Sequence, residues 1–185
     1  MFSPNLVVLA LLAATGLAQN VTAPEGYRTV YITSAVDAKF VIVPKAPLPA
    51  KAGGSIVVQT RNNKTEQQWY LKDGPGGKIQ LAGSTLCIDA GAKSNWKDMG
   101  NLSLKECSDT EPAQKWDVMA DGRIALQDSP KPRKDNINKE QCIDLVYMRA
   151  TANNPVGLYT CAGLGNTGAK DKGINWPLVN VVATP

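Results

Sequence analysis

The sequence contains no histidine among its 185 residues. Neither a Ser-His-Asp triad nor a Cys-His pair can therefore be assembled from this chain. Its four cysteines also lack the Cys-x-x-Cys spacing that is typical of zinc sites, so we expect no metal site and no cofactor. Carboxylates are present, but no pattern places two of them beside a nucleophile or a water molecule. We therefore predict that the protein is not an enzyme.

Basic residues are too evenly spread to predict a nucleic-acid interface. The chain has 20 Lys and Arg against 16 Asp and Glu, which gives a net charge of +4. One small basic group, formed by Lys131, Arg133 and Lys134, is interpreted as a solvated loop. Because nucleic-acid binding usually needs a clustered basic face, we expect no nucleic-acid partner.

Long apolar runs are absent beyond the N-terminus. Residues 6–14 are apolar and uncharged, and the small residues Gly16-Leu17-Ala18 follow them. Since this run is too short to span a bilayer, we predict a signal peptide over 1–18, an extension over 19–26 and a secreted chain without a membrane span. The alternative is a buried N-terminal strand or helix, which the polar segment that follows disfavours.

Four cysteines behind a signal peptide indicate two disulfides. They can pair in three ways, and the count alone leaves the pairing open. The cysteines are Cys87, Cys107, Cys142 and Cys161. Three sequons also predict a secreted glycoprotein, with acceptors at Asn20, Asn63 and Asn101.

An internal repeat organises the chain. Segments 69–74 and 116–122 each begin with tryptophan and reach an Asp-Gly turn signal. Each then leads to a Cys-Ile-Asp triplet, at 87–89 and 142–144, and on to a second cysteine and another tryptophan. Three similar units therefore end at Trp69, Trp116 and Trp176. The third is longer because of two additional loops, 128–140 and 162–173.

Apolar residues alternate within each unit, as in Ile79/Leu81 and Ile124/Leu126. This period of two predicts half-buried strands, and no stretch of the mature chain has sustained helical periodicity. Three such units bury a core only by sharing it. We therefore predict an all-β domain over 27–185, a β-trefoil with repeats at about 27–70, 71–117 and 118–181 around the three tryptophans.

The repeats resemble those of ricin-B-type lectins. Gln67-Gln68-Trp69 and Gln114-Lys115-Trp116 match the Gln-x-Trp signature of that family, whereas Ile174-Asn175-Trp176 keeps only the tryptophan. The Cys-Ile-Asp triplets and Gly100-Asn101 match further family features. The resemblance covers roughly 27–181 and implies carbohydrate binding. It also implies disulfides within repeats, Cys87–Cys107 and Cys142–Cys161.

In such lectins a repeat binds sugar through the Asp of the triplet and an aromatic platform two residues before the second cysteine. Carried over to the third repeat, the resemblance implies a site with Asp144 for hydroxyls and Tyr159 for stacking. Asn153 and Asn154 are expected to add hydrogen bonds. The alternatives are that Asp144, like Asp89 in the second repeat, is a turn residue bonded to nearby backbone N–H groups and that Tyr159 is a half-buried strand residue. Gly157 and Ile174 depart from the family pattern.

The second repeat is predicted to be weaker. It keeps Asp89, Ser103 and Gln114, but Lys105 replaces the ring. Trp96 is either a substitute platform or a loop plug, and a glycan on Asn101 is expected beside this site. The Gln of the Gln-x-Trp motif is also interpreted as a structural brace. The first repeat, with Val43 and Gln59 at the two positions, is predicted to bind no sugar.

The favoured hypothesis is a secreted protein that binds a galactose-like sugar, on free carbohydrate or on glycoprotein glycans. The alternative is a β-trefoil that binds a protein partner, as a protease inhibitor or a secreted effector. The replacements at Lys105 and Ile174 favour this alternative. Such a partner is expected to use the loops 128–140 or 162–173.

Overall fold

A computed structural model describes residues 23–130, 140–161 and 172–182 of the chain. The predicted signal peptide, the Asn20 sequon and most of the two additional loops lie outside these ranges. Within them, the structure contains no helix that is both long and apolar enough to cross a membrane.

The described part of the chain is built from short strands joined by turns, which confirms the predicted all-β class. The strands are β1 Arg28–Ile32, β2 Phe40–Pro44, β3 Ile56–Thr60, β4 Trp69–Leu71, β5 Gly74–Gly77, β6 Ile79–Leu81, β7 Leu86–Asp89, β8 Ser103–Glu106, β9 Trp116–Val118, β10 Ile124–Leu126, β11 Gln141–Leu145, β12 Val156–Thr160 and β13 Leu178–Asn180. Single 3-10 turns lie at Thr65–Gln67, Lys93–Asn95, Pro112–Gln114, Val146–Met148 and Lys172–Ile174.

All strand pairs are antiparallel and most link neighbours in sequence. The strand orders are β13-β1-β4-β6-β7-β8, β12-β11-β10-β9-β5 and β2-β3. The predicted turn at Asp121-Gly122 joins β9 to β10, and Gly122 has a φ of 91°, a conformation that glycine adopts without steric cost. Pairing of β13 with β1 brings the two ends of the described chain together.

One contact between repeats occurs three times. The strands β3, β8 and β12 each touch the loop before the corresponding strand of another repeat, through Ser55↔Ser103, Asn101↔Gly157 and Val57↔Pro155. The accompanying backbone bonds are Leu104 N to Gly54 O (2.8 Å), Leu158 N to Gly100 O (2.8 Å) and Val58 N to Asn154 O (3.0 Å). Because each repeat contacts the next and the third returns to the first, the three units close into a ring.

The three marker tryptophans occupy equivalent positions in one core. In the first repeat, Val41-Ile42-Val43 stands where the other two have Cys-Ile-Asp. Each indole N–H donates to the carbonyl of the middle residue of this triplet: Trp69 to Ile42 (2.9 Å), Trp116 to Ile88 (3.2 Å) and Trp176 to Ile143 (2.9 Å). All three side chains have no exposed surface and belong to a single apolar cluster. Cyclic contacts and a shared tryptophan core make the fold a β-trefoil, as predicted.

Both disulfides follow the pairing that the family resemblance implied. Cys87 bonds to Cys107 and Cys142 bonds to Cys161, with Cα–Cα distances of 5.0 and 5.1 Å. Each bridge ties the two strands that carry the predicted sugar-binding residues of its repeat. The first repeat, with Val41 and Arg61 in these places, has no such bridge.

Candidate carbohydrate-binding site

Asp144 and Tyr159 lie on one face of the β11–β12 hairpin. The register pairs Asp144 with Gly157 and Cys142 with Tyr159, so the two residues are diagonal neighbours. Diagonal side chains on a sheet come within reach of each other when one of them is aromatic. The opposite face, with Ile143 and Leu158, packs into the tryptophan core. Strand alternation therefore separates the core side of this hairpin from its ligand side.

A solvent-open pocket of about 410 Å³ includes both residues. Its lining, which we call the third-repeat pocket, consists of Met99, Asp144, Leu145, Tyr147, Met148 and Tyr159. Asp144 is nearly buried at 5% exposure, whereas Tyr159 is 38% exposed. An acceptor carboxylate thus shares a pocket with an accessible ring. These are the two kinds of group that a sugar needs for its hydroxyls and for its C–H surface.

The turn after Asp144 brings a second ring to the pocket. Tyr147 is 71% exposed, and Met148 beside it is 52% exposed. Both have left-handed backbone conformations, with φ of 57° and 51°. Non-glycine residues rarely adopt this region, so the backbone of this turn is strained. The Arg149 guanidinium lies 5.6 Å from the centroid of the Tyr147 ring.

Asn153 and Asn154 do not line the third-repeat pocket. Asn154 Nδ2 donates to the Val146 carbonyl at 2.9 Å, which holds the turn that carries Tyr147. Asn153 Oδ1 accepts from Gln59 Nε2 at 2.8 Å, across the junction with the first repeat. The structure therefore brings together Asp144 and Tyr159 among the predicted residues, while the two asparagines support the surrounding loops.

Asp89 in the second repeat already has partners within the chain. Its Oδ1 lies 2.9 Å from Lys105 Nζ and accepts from the Gly91 N–H at 2.7 Å. Its Oδ2 accepts from Gln114 Nε2 at 3.1 Å. Lys105 pairs with Cys87 as Tyr159 pairs with Cys142, so the lysine occupies the platform position. Three contacts within the second repeat therefore hold the Asp89 carboxylate, and an ammonium group replaces the aromatic ring.

Gln114 is also a backbone brace. Its Oε1 accepts from Ser108 N at 2.9 Å and its Nε2 donates to Glu106 O at 3.0 Å. Gln67 makes the corresponding bonds with Asn62 N and Thr60 O. This repetition supports the structural interpretation of the Gln in the Gln-x-Trp motif.

Trp96 packs as a loop plug. Its indole donates to Gly91 O at 3.0 Å, and its ring packs partly buried against the main core. Trp96 lines a separate surface pocket together with Asp98 and Thr160, and Asp89 does not line that pocket. Ser103 is half-buried and in register with Asp89. It therefore lies next to the ion pair that Asp89 forms with Lys105.

The first repeat lacks the carboxylate. Val43 is buried in a small apolar cluster with Tyr31, Val41 and Val57. Val43 and Gln59 border a cleft of about 180 Å³, much smaller than the third-repeat pocket. Within the described residues no group of three or more His, Cys, Asp or Glu side chains is arranged to hold a metal.

A family model described as the ricin-type β-trefoil lectin domain matches residues 29–131, which is more than half of the chain. The chain belongs to the ricin-type β-trefoil lectin domain family. Membership of this family supports carbohydrate binding as the general function. A search of curated proteins found no match.

Solved structures with the ricin-type fold align with most of the chain. A designed threefold-symmetric protein, ThreeFoil, is 17% identical with a TM-score of 0.62, and the alignment covers 83% of this chain and 99% of that one. The C-half of the earthworm R-type lectin in complex with GalNAc is 15% identical, with a TM-score of 0.59 and coverage of 83% and 99%. The β-trefoil lectin of Vibrio vulnificus hemolysin/cytolysin with bound N-acetyl-D-lactosamine is 15% identical, with a TM-score of 0.56 and coverage of 86% and 98%. These likenesses show a shared fold.

Sequence reasoning about this ricin-type domain missed Met99, Tyr147 and Met148. An aromatic residue three positions after Asp144 was a usable signal for Tyr147. Nothing local connects Met99 to the third repeat, because it belongs to the second repeat and reaches the pocket through the bond from its N–H to Leu158 O (2.9 Å).

Proposed function

We propose that this protein is a secreted lectin that binds sugar through one site, the third-repeat pocket. The observation that carries the proposal is the presence of the Asp144 carboxylate and the Tyr159 ring in one solvent-open pocket. The other two repeats support a single site, because Lys105 occupies the platform position of the second repeat and Val43 replaces the aspartate in the first.

The chemistry of the pocket suits a galactose-type sugar. A carboxylate accepts hydrogen bonds from two neighbouring hydroxyls, and such charge-assisted bonds are stronger than neutral ones. The axial 4-hydroxyl of galactose leaves one side of the ring with a continuous C–H surface, which an aromatic ring binds well. Tyr159 is the predicted platform, and Tyr147 is a second ring on the same pocket. The earthworm lectin structure holds GalNAc, which is a galactose-type sugar, and the Vibrio structure holds N-acetyl-D-lactosamine, which contains galactose.

Two disulfides support an extracellular location, since such bonds persist mainly in oxidising compartments. The predicted ligands are then glycans on cell-surface or secreted glycoproteins. One site per chain also predicts weak binding to isolated sugars, because avidity needs several linked sites. The N-terminus of the secreted chain, determined by mass spectrometry, tests the cleavage predicted before Gln19.

Binding of the full chain to immobilised N-acetylgalactosamine tests the site. Tyr159→Ala and Asp144→Asn are each expected to weaken binding at least about tenfold, or roughly 1.4 kcal/mol. Val179→Ala is the matched control, because Val179 is a strand residue about as exposed as Tyr159 that does not line the third-repeat pocket, and it should bind like the wild type. Circular dichroism and thermal unfolding verify that each variant is folded.

The outcomes separate this proposal from its alternative. Sugar binding that survives both substitutions would place the site elsewhere on the molecule. A glycan array without any binding, together with a protein captured at stoichiometric amounts, would instead favour the protein-binding trefoil.

A further inference from the structure

Asn101 lies beside the third-repeat pocket although it belongs to the second repeat. It pairs with Gly157, and Gly157 is in register with Asp144 on β11. Residues in register on neighbouring antiparallel strands present their side chains on one face, and each strand spacing is about 4.8 Å. The backbones of Asn101 and Asp144 are therefore about 10 Å apart. Gly157, between them, has no side chain, and a Cβ there would come within 2.7 Å of the Gly100 carbonyl oxygen.

The second repeat has other residues in the corresponding row across three neighbouring strands. Asp89 is in register with Ser103, and Ser103 pairs with Ser55. A group attached to Asn101 is therefore aligned with the carboxylate of the third repeat, and it is also a diagonal neighbour of Asp89, because Ser103 lies two residues further on. Asn95 Nδ2 donates both to the carbonyl of Ala90, next to Asp89, and to the carbonyl of Asn101. The expectation that a glycan on Asn101 would sit beside the second-repeat site therefore stays a prediction.

The backbone at Asn101 is held in place. Asn95 Oδ1 accepts from the Asn101 N–H at 3.2 Å, and Asn95 Nδ2 donates to the Asn101 carbonyl at 2.8 Å. Met99, two residues earlier, lines the pocket itself. The Asn101 side chain is exposed and makes no hydrogen bond to any described residue. Its amide nitrogen is thus accessible at a defined position on the rim.

Asn101-Leu102-Ser103 is an acceptor sequon for N-glycosylation. We propose that Asn101 carries an N-linked glycan whose first sugars cover the third-repeat pocket and so limit the access of other sugars. In the transfer, Asn101 Nδ2 bonds to the anomeric carbon of a lipid-diphosphate-linked oligosaccharide. The lipid diphosphate leaves and the amide loses one proton. This inference rests on the proposed lectin function of the same pocket.

The Asn63 sequon provides a matched comparison. Asn63 is exposed in the first repeat, where its Oδ1 accepts from Arg61 Nε at 2.7 Å, and it does not line the third-repeat pocket. Ser103→Ala and Thr65→Ala each remove one sequon through the hydroxyl residue. Both leave the acceptor asparagine in place, so they differ mainly in which glycan is lost.

The test expresses full-length wild type, Ser103→Ala, Asn101→Gln and Thr65→Ala in one secreting, N-glycosylating host. Glycopeptide mass spectrometry should find a glycan on Asn101 of the wild type. Affinity is then measured for albumin carrying N-acetylgalactosamine. Ser103→Ala and Asn101→Gln should bind about tenfold more tightly than the wild type, and Thr65→Ala should match it.

An unmodified Asn101 in the wild type would overturn the inference. Equal affinities across the series, or tighter binding by Thr65→Ala as well, would also overturn it while leaving the lectin function intact. If Asn101→Gln and Ser103→Ala are folded and bind no sugar on an array, the proposed function fails and the inference fails with it.

Discussion

Lys105 lies with its Nζ 2.9 Å from Oδ1 of Asp89, at the position that the Tyr159 ring occupies in the third repeat. Asp89 has no exposed side-chain surface, whereas that of Lys105 is half exposed. A buried carboxylate is costly unless it is paired and hydrogen-bonded. The lysine therefore adds a charged partner to a buried carboxylate that also accepts hydrogen bonds from Gly91 and Gln114.

Replacing Lys105 by alanine should destabilise the protein. The substitution leaves a fully buried carboxylate with only its bonds from Gly91 and Gln114. Removing one partner of a buried pair costs several kcal/mol, and we expect about 1–2 kcal/mol because solvent reaches this lysine. Urea unfolding at neutral pH measures the change. Lys39→Ala, at an exposed lysine, is the control and should change stability by less than about 0.5 kcal/mol.

The three core tryptophans should be energetically equivalent. Trp→Phe at position 69, 116 or 176 leaves a buried carbonyl without its donor and a small cavity. We expect each to lower the free energy of unfolding by about 2–4 kcal/mol, within about 1 kcal/mol of one another. Trp96→Phe, at a partly buried ring, should cost clearly less. If the substitution at any one of the three left the free energy of unfolding unchanged, it would contradict the equivalence inferred from their three corresponding hydrogen bonds.

Stability should depend on pH through the Arg28–Asp73 pair. Hydrogen bonds from Arg28, at 2.7 and 3.0 Å, hold the pKa of the Asp73 carboxyl below its ordinary value. A lowered pKa in the folded state stabilises the protein above about pH 4, and this contribution is lost as the pH falls through the folded-state pKa. The pair is exposed, so the effect should be below about 1 kcal/mol.

Asp73→Asn removes this titration. Unfolding free energies of the variant and the wild type should therefore differ most near neutral pH and converge towards about pH 2. If the free energies of unfolding of the two proteins changed with pH in the same way, the Arg28–Asp73 pair would not contribute to the pH dependence of stability. High salt should reduce the difference near neutral pH, since exposed charges are screened.

The features that sequence predicted best are those that repeat along the chain. Trp69, Trp116 and Trp176 recur with the same neighbours, so their common burial and the trefoil followed from the pattern. The Asp144–Tyr159 proximity was implied by the family resemblance, and in the structure both residues lie on one hairpin that a disulfide joins.

Contacts between repeats could not be obtained in this way. The pairing of Asn101 with Gly157 depends on how the ring of repeats closes, which no local spacing encodes. The role of Lys105 also escaped prediction, because a lysine in place of a ring indicates a lost platform but does not reveal where its ammonium group binds. Trp96 was undecided for a similar reason, since its packing against the core depends on the tertiary structure.

One backbone conformation recurs at the three repeat junctions with different residues. Gly53, Met99 and Asn153 have φ of 85°, 65° and 64°, and their N–H groups donate to Leu104, Leu158 and Val58 respectively. Glycine adopts this region freely and asparagine tolerates it, whereas other L-residues are disfavoured by roughly 1 kcal/mol or more. Met99 is therefore the strained member of the set.

Met99→Gly should stabilise the protein by about 0.5 kcal/mol, because relief of backbone strain exceeds the sum of glycine's extra unfolded-state entropy and the lost contacts of a half-exposed side chain. The reciprocal control is Gly53→Ala. Its added Cβ would meet no atom within 4 Å, so its expected cost of about 1 kcal/mol comes from the backbone alone. Urea unfolding measures both.

The same Met99→Gly variant should bind N-acetylgalactosamine more weakly, since Met99 lines the third-repeat pocket. A more stable protein with a weaker site is the result expected when strain is retained for function. Loss of stability on Met99→Gly would instead show that the methionine is held there by its packing, and unchanged affinity would remove it from the binding surface.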